Sequence, residues 1–196
     1  MTEVQNVLSR ATSMVGRGTI YWAGSGGLDP SAASPAQTLA IGRQWPTLAP
    51  EEQAKLRPLA EAAGLDVDDP ALVAPACDCS GFVCWALGIS RHPEPQRWIN
   101  TDSIWGDATS SGLQFRKIER ATLGCLVVYP QAGSGEKFGH IALVTEVTQG
   151  GRAARIVHCS AANLGSVPPD AIKITTPEAF ERQPKSVYAW FKGLKV

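Results

Sequence analysis

The stretch from Asp78 to Gly88 constrains the fold of this chain most, because it combines a helix start, a helix stop and a reactive side chain. Asp is favoured at helix N-caps, and Gly is favoured directly after a helix end. Between them, apolar side chains recur four residues apart, as in the pair Phe82 and Ala86. The pattern predicts a helix that carries Cys79 in its first turn.

A cysteine in this position has the properties of a nucleophile. Unpaired backbone N–H groups and the positive end of the helix dipole favour a thiolate over a thiol, so the sequence predicts a lowered pKa for Cys79. The same N–H groups are suited to binding an oxyanion. A lone free cysteine is more often a small buried core residue, so the interpretation depends on partners elsewhere in the chain.

Two of the three histidines lie at the edges of predicted strands. His140 begins one β-branched, apolar run, and His158 lies near the end of another. A thiol needs a base for its proton, and that base needs a polar group that fixes its tautomer. We therefore predict that Cys79 is the nucleophile, that His140 acts as base and then acid, and that His158 orients His140. His92 lies in a proline-rich turn and is left out of the predicted site.

Four segments together resemble the NlpC-type papain-like cysteine peptidases of bacterial cell walls. They are Asp78-Cys79-Ser80-Gly81-Phe82-Val83, Gly124-Cys125-Leu126-Val127-Val128-Tyr129, Gly139-His140-Ile141-Ala142-Leu143-Val144 and Val157-His158-Cys159-Ser160. Cys125 departs from the family, which usually has an acid there. The resemblance implies a papain-like fold and hydrolysis of peptidoglycan stem peptides at γ-D-glutamyl to diamino acid bonds.

The resemblance also implies three substrate-binding residues. Tyr21 follows the first helix, precedes a glycine-rich turn and is expected to face the thiol, although a purely structural role fits it equally well. Asp78 and Ser80 are expected to flank the cleft and bind the substrate. The glycine-rich turn lacks the lysine and the spacing of a phosphate-binding loop.

Two other functions stay open. The first is a CHAP-type amidase or endopeptidase, in which Glu146 would be a candidate for the orienting residue. The second is a catalytically idle module that holds a cell-wall or protein partner. The presence of the cysteine and both histidines favours an enzyme.

The order of the predicted elements indicates an α+β fold, with N-terminal helices and the nucleophile helix packed on an antiparallel sheet. Helical patterns come first, and about five strand-like runs follow Leu123. We expect residues 1–196 to form a single hydrolase domain. Residues 28–76 differ in composition and are predicted to be a helical insertion, which either borders the cleft or packs outside it.

Composition excludes several classes of function. Eighteen basic and eighteen acidic residues leave no electrostatic footprint for nucleic acid, and no apolar run is long enough to span a membrane. Five cysteines without two C-x-x-C pairs predict no metal site, and no cofactor is expected. The disulfide state of Cys77, Cys84, Cys125 and Cys159 stays open.

No signal peptide is recognisable, so the localisation stays open. Three explanations fit: a cytoplasmic enzyme that recycles wall fragments, a chain that has lost its signal, and a toxin exported without a Sec signal. The toxin would be an antibacterial effector with an immunity protein as its partner.

Overall fold

The computed structural model describes residues 2–27, 38–39, 41–93, 98–165 and 169–195. In these ranges the helices are α1 (Val4–Thr12), α2 (Ile41–Gln44), α3 (Pro50–Ala62), α4 (Cys79–Leu87), α5 (Thr101–Thr109) and α6 (Glu178–Glu181). Short 3-10 helices cover Trp45–Thr47 and Ala161–Gly165. None of the helices in the described ranges is long and apolar enough to cross a membrane.

The strands of the same ranges form three sheets. They are β1 (Thr2–Glu3), β2 (Ile20–Tyr21), β3 (Thr38–Leu39), β4 (Ala74–Cys77), β5 (Phe115–Ile118), β6 (Leu126–Tyr129), β7 (His140–Val147), β8 (Ala153–Cys159), β9 (Ile172–Thr175), β10 (Val187–Phe191) and β11 (Leu194–Lys195). The main sheet has the order β5-β10-β6-β7-β8-β9. All of its neighbouring strands are antiparallel. Helices packed on an antiparallel sheet confirm the predicted α+β class.

Helix α4 is the central element of the fold. Asp78 is its N-cap and accepts a hydrogen bond from the Gly81 backbone N–H at 2.7 Å, whereas Gly88 ends it in the left-handed conformation with φ of 74°. All nine residues of α4 are buried. The helix packs against α1 on one side and against β7 and β8 on the other. Its burial on several sides explains why its sequence is apolar almost throughout.

The glycine-rich segment after Tyr21 lies directly against the first turn of α4. A Cβ atom added at Gly26 would come within 2.6 Å of the backbone carbonyl carbon of Gly81. The two backbone segments therefore approach so closely that only glycine fits at this position. The Gly27 N–H donates to the Gly81 carbonyl, and the Asp78 N–H donates to the Ser25 carbonyl. This segment therefore packs directly against the start of α4 and is hydrogen-bonded to it.

Residues 41–76 of the predicted insertion form a second, smaller core with β2. Its buried residues are Ile20, Trp22, Ile41, Trp45, Leu56, Ala60, Val67, Ala74 and Ala76. Helix α3 contacts β2 and the 3-10 helix at Ala161–Gly165, which follows His158 closely in the chain. The insertion is not purely helical, because β3 and β4 also belong to it. Residues 28–37 and 40 lie outside the described residues.

We expect Gly81→Ala to destabilise the fold, because the new methyl group would collide with the Ser25 carbonyl oxygen and with Arg91. Overpacking of this kind costs roughly 1–3 kcal/mol. Urea unfolding followed by circular dichroism would measure the loss. The matched control is Gly106→Ala in α5, where a Cβ meets nothing within 4 Å.

The control should be neutral or stabilising by about 0.5–1 kcal/mol, since alanine is the better helix former. Equal unfolding midpoints for the two variants would contradict the close approach at Gly81.

Candidate active site

Two histidines and a threonine form a row across three neighbouring strands. His140 Nε2 lies 2.7 Å from His158 Nδ1, and His158 Nε2 lies 3.0 Å from Thr175 Oγ1. The register Leu143↔Val157 puts His140 and His158 on the same face of the sheet, because side chains alternate along each strand. The register His158↔Lys173 does the same for Thr175. The structure thus brings the two predicted histidines into direct contact.

The structure places Cys79 at the start of α4, beside Tyr21. Strand β2 pairs with β4 in the register Tyr21↔Cys77, and β4 leads directly into α4. The Tyr21 hydroxyl forms a hydrogen bond with the Cys79 thiol, and burial followed by the charges of Cys79 and Asp78 raises the Tyr21 pKa, so the phenol stays protonated. Its role in substrate binding stays a prediction.

Cys79 begins the helix that packs against the strands of the two histidines. Helix α4 packs on β7 and β8, the strands of His140 and His158. Burial, Glu136 and the charge of Cys79 raise the pKa of Tyr129, whose register partner is His140. The thiol therefore lies in the neighbourhood of a residue paired directly with the predicted base.

The predicted lowering of the Cys79 pKa is wrong. Cys79 is only 6 % exposed, and burial, together with the charge of Asp78, raises its pKa to about 12. The Ser80 backbone N–H, Tyr21 and Arg91 act in the opposite direction but do not outweigh the desolvation. The helix terminus is present as expected, yet it is too deeply buried for its dipole to decide the charge state.

Both histidines are held in the neutral form. Burial, reinforced by His158, lowers the pKa of His140 to about 3, and burial lowers that of His158 to about 4. The Phe180 ring stacks on the His140 imidazole with centroids 5.3 Å apart and an interplanar angle of 18°. The groups predicted to react are accordingly a neutral thiol and neutral imidazoles at rest, not a thiolate and imidazolium pair.

The predicted substrate-binding residues Asp78 and Ser80 belong to a buried network around Arg91. Arg91 is 2 % exposed and donates to the Asp78 carboxylate at 2.8 Å and to the Ser80 hydroxyl at 2.9 Å. It also donates to the Ser25 and Ile99 carbonyl oxygens. The Asp78 carboxylate also accepts a hydrogen bond from the Gly24 backbone N–H at 2.8 Å. Substrate binding by Asp78 and Ser80 stays a prediction beside this structural role.

Glu146 cannot orient His140. It is exposed and lies six residues further along β7, which corresponds to roughly 20 Å at the rise of an extended strand. His92 is also exposed, and its ring contacts Trp98 with centroids 4.4 Å apart. Among these candidates His158 contacts His140 directly, and its orienting role stays a prediction.

All five cysteines are buried. The sulfur atoms of Cys77 and Cys159 lie 3.5 Å apart, within hydrogen-bonding range of thiols. In the part of the chain that the structure describes, no three His, Cys, Asp or Glu side chains gather closely enough to hold a metal ion.

Three residues around the site were not predicted from the sequence: Arg91, Thr175 and Phe180. Arg91 had an available signal, since a carboxylate buried at a helix start needs a cation or several donors. Thr175 and Phe180 had none, because their proximity to the histidines depends on how β9 and α6 return to the sheet.

The family model for the CHAP domain matches residues 72–163, just under half of the chain. The matched segment contains Cys79, His140 and His158. No curated protein matches the sequence at a significant level. A CHAP domain is a peptidoglycan hydrolase domain of cysteine or amidase type, related to the NlpC-type and papain-like enzymes.

The match supports a cysteine hydrolase with peptidoglycan amidase or endopeptidase activity at the level of the family. This was the second enzyme function that the sequence left open. The finer assignment to the NlpC type and the individual roles of the three site residues stay predictions.

The neutral histidines predict acid sensitivity of the fold. Because their pKa values in the folded state lie below the ordinary value of about 6.5, the unfolded chain binds protons first as the pH falls. Stability should be nearly constant above about pH 7.5 and fall on the order of 1–2 kcal/mol per histidine between about pH 7.5 and about pH 5. Carboxylates change little in this range.

Urea unfolding at a series of pH values would test this. The double variant His140→Ala, His158→Gln should lose much of the pH dependence, whereas His92→Gln, at an exposed site, should keep it. A wild-type stability that is flat across the range would refute the buried neutral state.

Proposed function

We propose that this protein is a cysteine hydrolase that cleaves amide bonds in peptidoglycan peptides, with Cys79 as nucleophile, His140 as base and then acid, and His158 as the orienting residue. The observation that carries the proposal is the 2.7 Å contact between His140 Nε2 and His158 Nδ1, within a segment that matches the CHAP domain. An imidazole held through one nitrogen presents the other to a reactant. For His140 that free nitrogen is Nδ1.

The neutral resting pair determines how the reaction begins. With the Cys79 pKa raised and the His140 pKa lowered, a standing thiolate is disfavoured. The thiol proton therefore passes to His140 Nδ1 as the sulfur attacks the substrate carbonyl carbon. First-turn N–H groups of α4 are the natural donors to the oxyanion that forms.

The remaining steps follow from conserving atoms and charge. The tetrahedral intermediate expels the amine, which takes the proton from His140, and an acyl thioester with Cys79 is left. Water then attacks the thioester carbonyl while His140 accepts a proton from it. The carboxylic acid leaves, and the proton returns to the Cys79 sulfur, which restores the neutral pair.

The finer proposal names the bond. The NlpC resemblance favours the γ-D-glutamyl to diamino acid bond of the stem peptide, whereas the CHAP match also fits an amidase or an endopeptidase acting elsewhere in peptidoglycan. We retain the proposal of one hydrolase domain over residues 1–196 with the insertion at 28–76. Nothing in the described residues or in the family match supports an immunity-protein partner, and it is left out.

Cys79→Ala should abolish the release of fragments from purified peptidoglycan, because the proposed thioester forms on the Cys79 sulfur. Mass spectrometry of the soluble products would identify the bond that the wild type cleaves. The matched control is Cys125→Ala, which removes another buried thiol, directly before β6. Cys79→Ser tests the chemistry with a smaller change in volume.

Circular dichroism must show that Cys79→Ala is folded, since Cys79 is itself buried. Near-normal turnover of the folded Cys79→Ala protein would refute the assignment of the nucleophile. An active wild type that releases other fragments would refute only the proposed identity of the cleaved bond.

His158 should be less costly to lose than His140. We expect activity in the order wild type, then His158→Asn and His158→Gln, then His158→Ala, with His140→Ala lowest. An amide oxygen can still accept the His140 Nε2–H bond, whereas a methyl group cannot. Loss of the positioned base should lower the rate roughly a hundredfold or more.

The measurement is kcat/KM divided by the fraction of folded protein. Unchanged turnover per folded molecule in His158→Ala would remove His158 from the mechanism.

A further inference from the structure

We propose that Thr175 is a positioning residue that selects the tautomers of His158 and His140, so that His140 Nδ1 carries no proton. The inference deepens the proposed function and rests on it. It starts from the row of three side chains on β7, β8 and β9, in which each contact joins one nitrogen or oxygen to the next.

The direction of the Thr175 hydroxyl follows from its second partner. Thr175 Oγ1 lies 3.1 Å from the Thr176 carbonyl oxygen, which has no proton to give. The hydroxyl must therefore donate to that carbonyl. A hydroxyl has a single proton and two lone pairs, so towards His158 it is an acceptor. His158 consequently donates from Nε2.

A neutral imidazole carries one proton on its two nitrogens. With that proton on His158 Nε2, His158 Nδ1 has a lone pair and accepts from His140 Nε2–H. The His140 proton is thus placed on Nε2, and His140 Nδ1 is left with the lone pair that a base requires.

The reverse order would be inactive. If Thr175 donated to His158 Nε2, the His158 proton would lie on Nδ1 and point at His140 Nε2. The His140 proton would then occupy Nδ1, and His140 could not accept from the Cys79 thiol. The orientation of the Thr175 hydroxyl therefore decides whether His140 can act as a base. It fixes the proton position on His158 and, through it, on His140, because both histidines are buried and neutral.

The competing view is that Thr175 is an ordinary residue at the end of an edge strand. The chain offers a matched control for this view at the next position. Thr176 is exposed, and its hydroxyl donates to Glu178 Oε1 at 3.2 Å, away from both histidines. Thr175→Val and Thr176→Val remove the same atom from neighbouring threonines and differ only in contact with the row.

The first experiment measures kinetics on peptidoglycan peptides. Thr175→Val should lower kcat at least tenfold with little change in KM, because ground-state binding does not depend on the tautomer. Thr175→Ser, which keeps the hydroxyl, should restore most of the rate, and Thr176→Val should equal the wild type. A Thr175→Val protein with wild-type kcat, or a Thr175→Ser protein as slow as Thr175→Val, would overturn the inference.

The second experiment reads the tautomers directly and needs no activity. Two-dimensional NMR that correlates imidazole ¹⁵N nuclei with ring protons, near neutral pH, should show the proton of His140 on Nε2 in the wild type and in Thr176→Val. Thr175→Val should add the Nδ1–H form of His140. His92→Gln removes the remaining histidine signals and simplifies assignment.

The two experiments separate the possible failures. Predicted tautomers in a protein that releases nothing from peptidoglycan would refute the proposed function and leave the tautomer selection intact. A His140 proton on Nδ1 in an active wild type would refute the inference alone.

Discussion

The buried carboxylate of Asp78 is the interaction on which the site depends. It caps α4 through the Gly81 N–H, binds the Gly24 N–H and pairs with Arg91, whose guanidinium is almost fully buried. A buried ion pair contributes little net stability by itself, but removal of one partner leaves an uncompensated charge. The pair therefore acts mainly by fixing positions. It holds the glycine-rich segment after Tyr21, the start of α4 and the turn after α4 in a single arrangement around Cys79.

The same burial decides the chemistry of the site. A helix terminus and a neighbouring base would suffice to ionise a thiol in a wet cleft. Here desolvation raises the Cys79 pKa and lowers that of His140, so both groups are neutral at rest. In the proposed reaction the proton moves as the sulfur attacks. A neutral pair makes the tautomer of His140 decisive, because an imidazolium would have protons on both nitrogens whatever its neighbours did. The tautomer selection proposed for His158 and Thr175 bears on the reaction for this reason.

Local signals predicted much of this from the sequence. Asp78 and Gly88 marked the ends of α4, and alternation and β-branched residues marked β6 to β10, because caps and strand patterns act over a few residues. The contact between His140 and His158 could be anticipated from their positions on strands. The charge state of Cys79 could not, since it depends on how much of the fold covers the thiol. Tertiary packing brings Arg91, Thr175 and Phe180 to the site, and no local sequence pattern predicts that packing.

The boundaries of the family match separate a common framework from what this chain adds around it. The matched segment holds Cys79, His140 and His158, but it ends before β9 and α6 and begins after β2. Tyr21, which lies near the thiol, therefore precedes the matched segment in the sequence. Thr175 and Phe180, which contact the histidines, follow it. Phe180 stacks on the His140 ring and Thr175 ends the row of side chains, so residues outside the matched segment contribute to the surroundings of both histidines. Catalytic residues of one type can thus work with a neutral or an ionised thiol according to what the rest of the chain packs over them.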